Sequence, residues 1–144
     1  MKILVIHGVN LNMLGKRDPI YGSVTLEQIN ALVKSDMYVQ SGAVTVDVFQ
    51  SNIEGEIVDR IQARDYDGLV INPGAYSHYS YAIADALADV SAPKVEVHLT
   101  NIFAREEFRK TSVTAAKCDA CVTGMGENGY VAAIDYLYFK LCEE

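Results

Sequence analysis

His98 stands at the end of a short apolar run, Lys94–Val97, within VEVHLTNIFAREEFR (Val95–Arg109), and Thr100, Asn101, Arg105 and Arg109 follow it. A histidine can move a proton near neutral pH, and guanidiniums can hold carboxylate or hydroxyl oxygens. Such a set suits a small, oxygen-rich anion. The arginines are four residues apart, which predicts one above the other on a helix beginning near Ala104. Arg105, Glu106, Glu107 and Arg109 also read as a charged surface face, so the partners of this stretch decide between the two readings.

Those partners must come from other strand exits. The loop His7–Val24, HGVNLNMLGKRDPIYGSV, is punctuated by Gly8, Gly15, Pro19 and Gly22 and carries Asn10, Asn12, Arg17 and Tyr21. Long ordered loops in compact domains are often lids or binding loops. Asn72-Pro73-Gly74-Ala75-Tyr76-Ser77-His78 is a second exit, in which Pro73 and Gly74 set a tight turn with exposed N–H groups. A second histidine at the same sheet edge makes a merely solvated His78 less expected. Asp85 falls seven residues later, on roughly the face of His78. In the third exit, Phe49-Gln50-Ser51-Asn52, Ser51 or Asn52 is read as a helix cap.

Five apolar runs rich in β-branched residues bear these exits: Ile3–Ile6, Val44–Phe49, Leu69–Ile71, Val95–Val97 and Cys121–Thr123. Helical patterns lie between and after them: Leu26–Val39, Ile53–Ala63, Ser80–Val90, the arginine segment, and Tyr130–Leu141. Thr25, with Gln28 three residues on, fits a capping box. Continuously apolar strands imply a sheet covered on both faces. Alternating β/α units predict an α/β protein with a flavodoxin-like, doubly wound five-stranded parallel sheet in three α/β/α layers. Ligands then bind beyond the carboxyl ends of the strands.

A chain of 144 residues is expected to form a single domain over 1–144, and its net charge of −7 argues against nucleic acid and anionic membrane surfaces. No apolar run reaches membrane-spanning length, and no export signal is visible. Three cysteines make no disulfide framework, which fits a reducing cytoplasm. Two motifs read as decoys. Gly124-Met125-Gly126-Glu127-Asn128-Gly129 has dinucleotide-fingerprint spacing but no later strand or ribose-binding acid, so it is taken as a tight turn. Cys118 and Cys121 fit C-x-x-C but border a strand, not the helix N-terminus a redox pair wants, and no metal-ligand spacing accompanies them.

Taken together, GVNLNMLGKRDPIYG, FQSNIEGEIVD, INPGAYSH, EVHLTNIFAREEFR and GMGENGY resemble, in order and spacing, the type II 3-dehydroquinate dehydratases, from Ile3 to Tyr130. The resemblance implies dehydration of 3-dehydroquinate to 3-dehydroshikimate, in the shikimate route or in quinate breakdown. It also implies a dodecamer built from trimers, and no metal or organic cofactor. By the same resemblance Tyr21 is the general base and Arg17 the lid arginine favouring its deprotonation. His98 is the general acid, oriented by Glu96, and Asn10 holds the water that stabilises the enolate. Asn72, with the N–H groups of Leu99 and Thr100, forms the carboxylate site, and the Gly74 turn joins the substrate-binding set. His78 and Arg109 bind ring hydroxyls, Asp85 reaches in from a neighbouring subunit, and Arg105 is a second arginine near Tyr21.

The chemistry asks for these residue types independently. Losing a proton beside a ketone gives an enolate, which needs hydrogen-bond donors. A tyrosine, with an ordinary pKa of ~10, serves as base only where cations stabilise the phenolate. The β-hydroxyl must leave as water, so an acid must protonate it. No lysine is placed as an obvious Schiff-base former, which argues against an imine route.

Some positions depart from the family pattern. Only Ile20 separates Pro19 from Tyr21, one residue fewer than expected, which puts the reach of Tyr21 at issue. Val9 replaces a usual proline, and Tyr79 and Tyr81 are bulky where crowding of the pocket or of a subunit contact is the expected consequence. Two other readings follow: a family-shaped protein without activity, binding quinate-like ligands or serving assembly, and, by fold analogy, a flavin carrier. The latter needs a phosphate-cradling loop after the first strand, which the asparagine-rich loop does not resemble.

Overall fold

Five parallel strands run β2-β1-β3-β4-β5: β1 Lys2–His7, β2 Thr45–Gln50, β3 Gly68–Asn72, β4 Lys94–His98 and β5 Ala120–Thr123. The computed structural model describes residues 1–143. Helices α1 Leu26–Lys34, α2 Met37–Gln40, α3 Glu54–Gln62, α4 Tyr81–Ala88 and α5 Asn128–Cys142 complete the regular elements, with short 3₁₀ turns between them. The strand order is the doubly wound one expected from the sequence.

Strand pleating sorts the core into two layers. Ile3, Val5, Val70, Val95 and Val97 point to one face and pack against Ile29 and Val33 of α1 and Tyr130, Ala133, Ile134 and Leu137 of α5. Leu4, Ile6, Leu69 and Ile71 point to the other, against Ile57 and Ile61 of α3 and Ile83, Ala86 and Leu87 of α4. Burying each of the Val, Leu and Ile side chains among them contributes roughly 1.5–3 kcal/mol. The edge strands β2 and β5 are only partly buried, whereas β3 and β4 are buried throughout.

The period of two has a consequence for chemistry. Glu96 and His98 share the face opposite Val95 and Val97, and His7 and Asn72, paired across β1 and β3, lie on the α1/α5 side. The strand pattern thus gathers polar groups at the carboxyl edge in two sets, one on each face.

Four expectations need correcting. The first strand runs on to His7, so the loop begins at Gly8. The segment Leu26–Val39 is two helices: Ser35 ends α1 and bonds back to Leu32 O, while extended Asp36 accepts the Tyr38 N–H at 2.8 Å and starts α2. No α-helix begins near Ala104. Ile102–Ala104 and Glu107–Lys110 are 3₁₀ turns, and Arg105 between them is extended (φ −114°, ψ −156°), so the two arginines are not stacked on a helix face. Finally, α3 has no side-chain cap, because Ser51 takes the Ile53 N–H and Asn52 is turned toward the first loop.

The expected capping box is present. Thr25 Oγ1 accepts from Gln28 N (3.1 Å) and Gln28 Oε1 from Thr25 N (3.0 Å), closing the capping box of α1. Ser80 caps α4 through the Ile83 N–H. The terminal helix starts at Asn128, two residues earlier than the apolar pattern indicated.

Candidate active site

The acid–base chemistry centres on β4. Glu96 is fully buried, and its Oε2 lies 2.8 Å from His98 Nε2. The same oxygen accepts from Ser112 Oγ (2.8 Å), and Oε1 accepts from Thr114 Oγ1. A buried carboxylate is tolerated only when its lone pairs are met, and three donors meet them here. With Glu96 accepting from Nε2–H, the tautomer is set and Nδ1 is left as the nitrogen free to exchange a proton. Ser112 and Thr114 were not singled out in the sequence, and isolated hydroxyls 16 and 18 residues away give no local sign of such a role.

The loop after β1 supplies the other half. Asp18 accepts the Ile20 N–H at 3.0 Å and caps the turn Pro19–Tyr21, which carries Tyr21 inward. Arg105 Nη2 donates to the Tyr21 hydroxyl oxygen at 2.9 Å, and its Nη1 donates to Thr100 Oγ1 at 3.2 Å. Extended backbone at Arg105 accompanies both contacts. The Arg17 guanidinium lies over the Tyr21 ring, 3.9 Å from its centroid, and so sits on the face of the ring rather than at its oxygen. The shorter lid therefore still delivers the phenol.

Loop geometry is held from below. Asn10 adopts φ 68°, a region open to asparagine, and its N–H donates to Asn52 Oδ1 at 2.9 Å. Gln50 Nε2 donates to that oxygen and to Gly8 O. Gly74 has φ 63°, and a Cβ there would stand 2.7 Å from Val9 O, so the β3 exit passes against the first loop at a distance only glycine permits. The glycine-rich turn set aside as a decoy has a positioning role. Gly124 N and Gly126 N donate to His98 O and Leu99 O, tying down the end of β4.

One cavity of about 130 Å³ opens at the carboxyl edge. Asn10, Arg17, Tyr21, Asn72, Gly74, His78, His98, Leu99, Thr100, Arg105 and Arg109 all line it. Glu96 lies behind His98. Asp85 is exposed on α4 and does not line the cavity. Val9, Leu11, Ala75 and Ile102 add apolar wall that the sequence did not single out. His78 Nδ1 donates to Thr111 O at 2.8 Å, leaving Nε2 for the cavity side chemistry. Arg109 Nε holds Glu106 at 2.6 Å, and Arg105 Nε is 3.8 Å from the same carboxylate. Glu106 is held below the usual carboxylate range by its own backbone N–H and then by Arg109.

Tyr79 and Tyr81 are largely exposed and do not enter the cavity, so the expected crowding of the pocket does not occur. Burial, and next the Glu96 charge, push the Cys118 thiol far up and Cys121 up to about 11. Neither is primed as a thiolate.

A buried His–Glu pair, a tyrosine held by arginines and a donor-lined cavity at the strand exits define a doubly wound α/β protein built for proton transfer on a small anion. The comparisons name the family. The model for dehydroquinase class II matches residues 1–138. The 3-dehydroquinate dehydratase of Thermotoga neapolitana is 54% identical over 138 residues, covering 95% of this chain and 94% of that protein. That of Helicobacter acinonychis is 54% identical, covering 93% and 82%. The crystal structure of type II dehydroquinase from Butyrivibrio crossotus superposes with a TM-score of 0.90 at 51% identity, covering 95% of this chain and 97% of that one. The chain belongs to the class II dehydroquinase family.

Proposed function

We propose that the chain acts as a single catalytic domain that removes water from 3-dehydroquinate to give 3-dehydroshikimate, as a type II dehydratase and hydro-lyase of the shikimate route or of quinate breakdown. The observation that carries this reading is that the Tyr21–Arg105 contact and the Glu96–His98 pair line or back one cavity.

Tyr21, as phenolate, takes the proton beside the ketone. The electron pair moves into the carbonyl as an enolate, whose charge a water held by Asn10 stabilises. The enolate's electron pair then returns to form the conjugated C=C as the C–O bond breaks, and His98, held through Nε2–H by Glu96, gives a proton from Nδ1 to the departing β-hydroxyl, so that water leaves in an anti elimination. Arg105 donates to the oxygen on which phenolate charge resides, and Arg17 adds positive charge over the ring. Asn72, the turn at Gly74 and the N–H groups of Leu99 and Thr100 take the carboxylate, and His78 and Arg109 the ring hydroxyls. None of these roles calls on a metal or an organic cofactor.

The proposal extends to a dodecamer of trimers in the cytoplasm, with Asp85 completing a neighbouring subunit's site. The position of Asp85 outside its own cavity supports this. No helix among the described residues is long and apolar enough to cross a membrane.

The test is ultraviolet absorbance after adding 3-dehydroquinate, because the product is a conjugated enone and the substrate is not. A rise with the wild type, reduced on the order of 10²–10⁴-fold in Tyr21→Phe, is expected. A rise undiminished in Tyr21→Phe would remove Tyr21 as the base, and no rise from folded wild type would remove the function.

A further inference from the structure

Behind the cavity, on the α1/α5 face of the sheet, a buried polar row runs from Asn72 through three groups given no role above, Tyr130, His7 and Asn30. Asn72 Oδ1 accepts the Gly74 N–H at 3.1 Å, and Asn72 Nδ2 donates to the Tyr130 hydroxyl at 3.1 Å. The Tyr130 hydroxyl is 3.2 Å from His7 Nδ1, and His7 Nε2 is 2.8 Å from Asn30 Oδ1. His7 and Tyr130 are fully buried, and Asn72 is 3% exposed.

The direction of the bonds in this row follows from its two ends, the Gly74 N–H donor and the Asn30 Oδ1 acceptor, with one neutral imidazole between them. A backbone N–H can only donate, so the Asn72 atom facing Gly74 is the oxygen, and the nitrogen faces Tyr130. The Tyr130 oxygen accepts there, and its own hydrogen goes to His7 Nδ1. That nitrogen must be unprotonated, so the imidazole carries its hydrogen on Nε2, toward the acceptor Asn30 Oδ1. Burial, opposed by the Asn30 bond, pushes the His7 pKa down to about 4, which keeps the ring neutral and the row intact at ordinary pH. One Nδ2 hydrogen of Asn72 is used in the row, and the second is left for the cavity that Asn72 lines.

We infer that Tyr130, backed by His7 and Asn30, is a positioning residue that locks the Asn72 carboxamide so that the site offers the substrate carboxylate an N–H donor and not a carbonyl oxygen. The inference rests on the reading of Asn72 as part of the carboxylate site. A carboxamide turned the other way would set its oxygen against the carboxylate and its nitrogen against the Gly74 N–H. Both contacts repel.

Steady-state kinetics with 3-dehydroquinate tests this, with thermal melts run beside them. Tyr130→Phe keeps the buried ring and removes the hydroxyl. It is expected to raise KM about tenfold with kcat within about threefold, since the carboxylate contact is made in both ground and transition states. In an Asn72→Ala background the same change is expected to add nothing. His7→Leu, which removes the acceptor for the Tyr130 hydroxyl, is expected to raise KM likewise, and His7→Gln, which returns a neutral acceptor, to recover most of it. That recovery separates positioning from loss of fold and keeps the test available if Tyr130→Phe does not fold. An unchanged KM in folded Tyr130→Phe, or a penalty that adds fully to that of Asn72→Ala, would overturn the inference alone. An Asn72→Ala variant with wild-type KM would instead overturn the reading of Asn72 beneath it, and the inference with it.

Discussion

Glu96 meets three donors with two oxygens in a site with no solvent contact, and that arithmetic makes it the most exacting single residue behind the cavity wall. Glu96→Gln keeps the shape but replaces one acceptor oxygen with an NH₂ group. Ser112 and Thr114 can rotate their hydroxyls to accept, so the fold survives, whereas His98 Nε2–H cannot change role without losing its tautomer. The expected outcome is a fall in kcat on the order of 10²–10³-fold with KM little changed, read in the absorbance assay against a melting temperature within a few degrees of wild type. A kcat equal to wild type would mean that Glu96 neither orients nor charges His98. Part of this residue set was legible in sequence, because His98 and the asparagines stand at strand exits, whereas the roles of Tyr21, Arg17 and Glu96 came from the family resemblance. Ser112 and Thr114 were not legible, since a hydroxyl's partner is decided by the fold.

At the scale of elements, His7 is the point where β1, β3, α1 and α5 meet, through Asn72, Asn30 and Tyr130. Its pKa is lowered in the folded protein, from 6.5 to about 4, chiefly by burial. The unfolded chain therefore binds a proton at His7 below pH 6.5 that the folded chain refuses until about pH 4. Stability is lost as pH falls through that window, by on the order of 3 kcal/mol in full, and the loss ceases below it. His7→Gln is expected to flatten that part of the pH–stability curve, measured by denaturant unfolding at several pH values. An equally steep curve in the variant would assign the slope to other groups. A histidine ending an apolar strand gave no sign of partners 23 and 123 residues away. The segment after His98 misled for a different reason. AREEFRK is rich in good helix formers, but Arg105 lies extended with its guanidinium on Tyr21 and Thr100, so tertiary contacts overrule propensity there. The strands were read to within one residue at each end because each leaves a short run rich in β-branched residues bounded by turn residues, even on the partly buried edge strands β2 and β5.

At the scale of the molecule, the question is whether the cavity of one chain is complete. Eleven of the thirteen residues expected at the site line the cavity and Glu96 backs it, which leaves only Asp85 apart, exposed on α4. Tyr79 and Tyr81, close to Asp85 in the chain, are exposed as well. If Asp85 serves a neighbour, its loss damages the neighbour's site and leaves its own subunit's catalytic residues whole. Subunits bearing Asp85→Ala and subunits bearing His98→Asn should each assemble, at twelve times the 15.8 kDa chain mass by light scattering, and each should be weakly active. Mixed after dissociation and reassembly, they pair an intact His98 with an intact Asp85 across a contact in about a quarter of sites, by independent choice of the two subunits. Activity in the mixture should therefore rise well above that of either parent. A mixture no more active than the mean of its parents would place Asp85 outside any shared site.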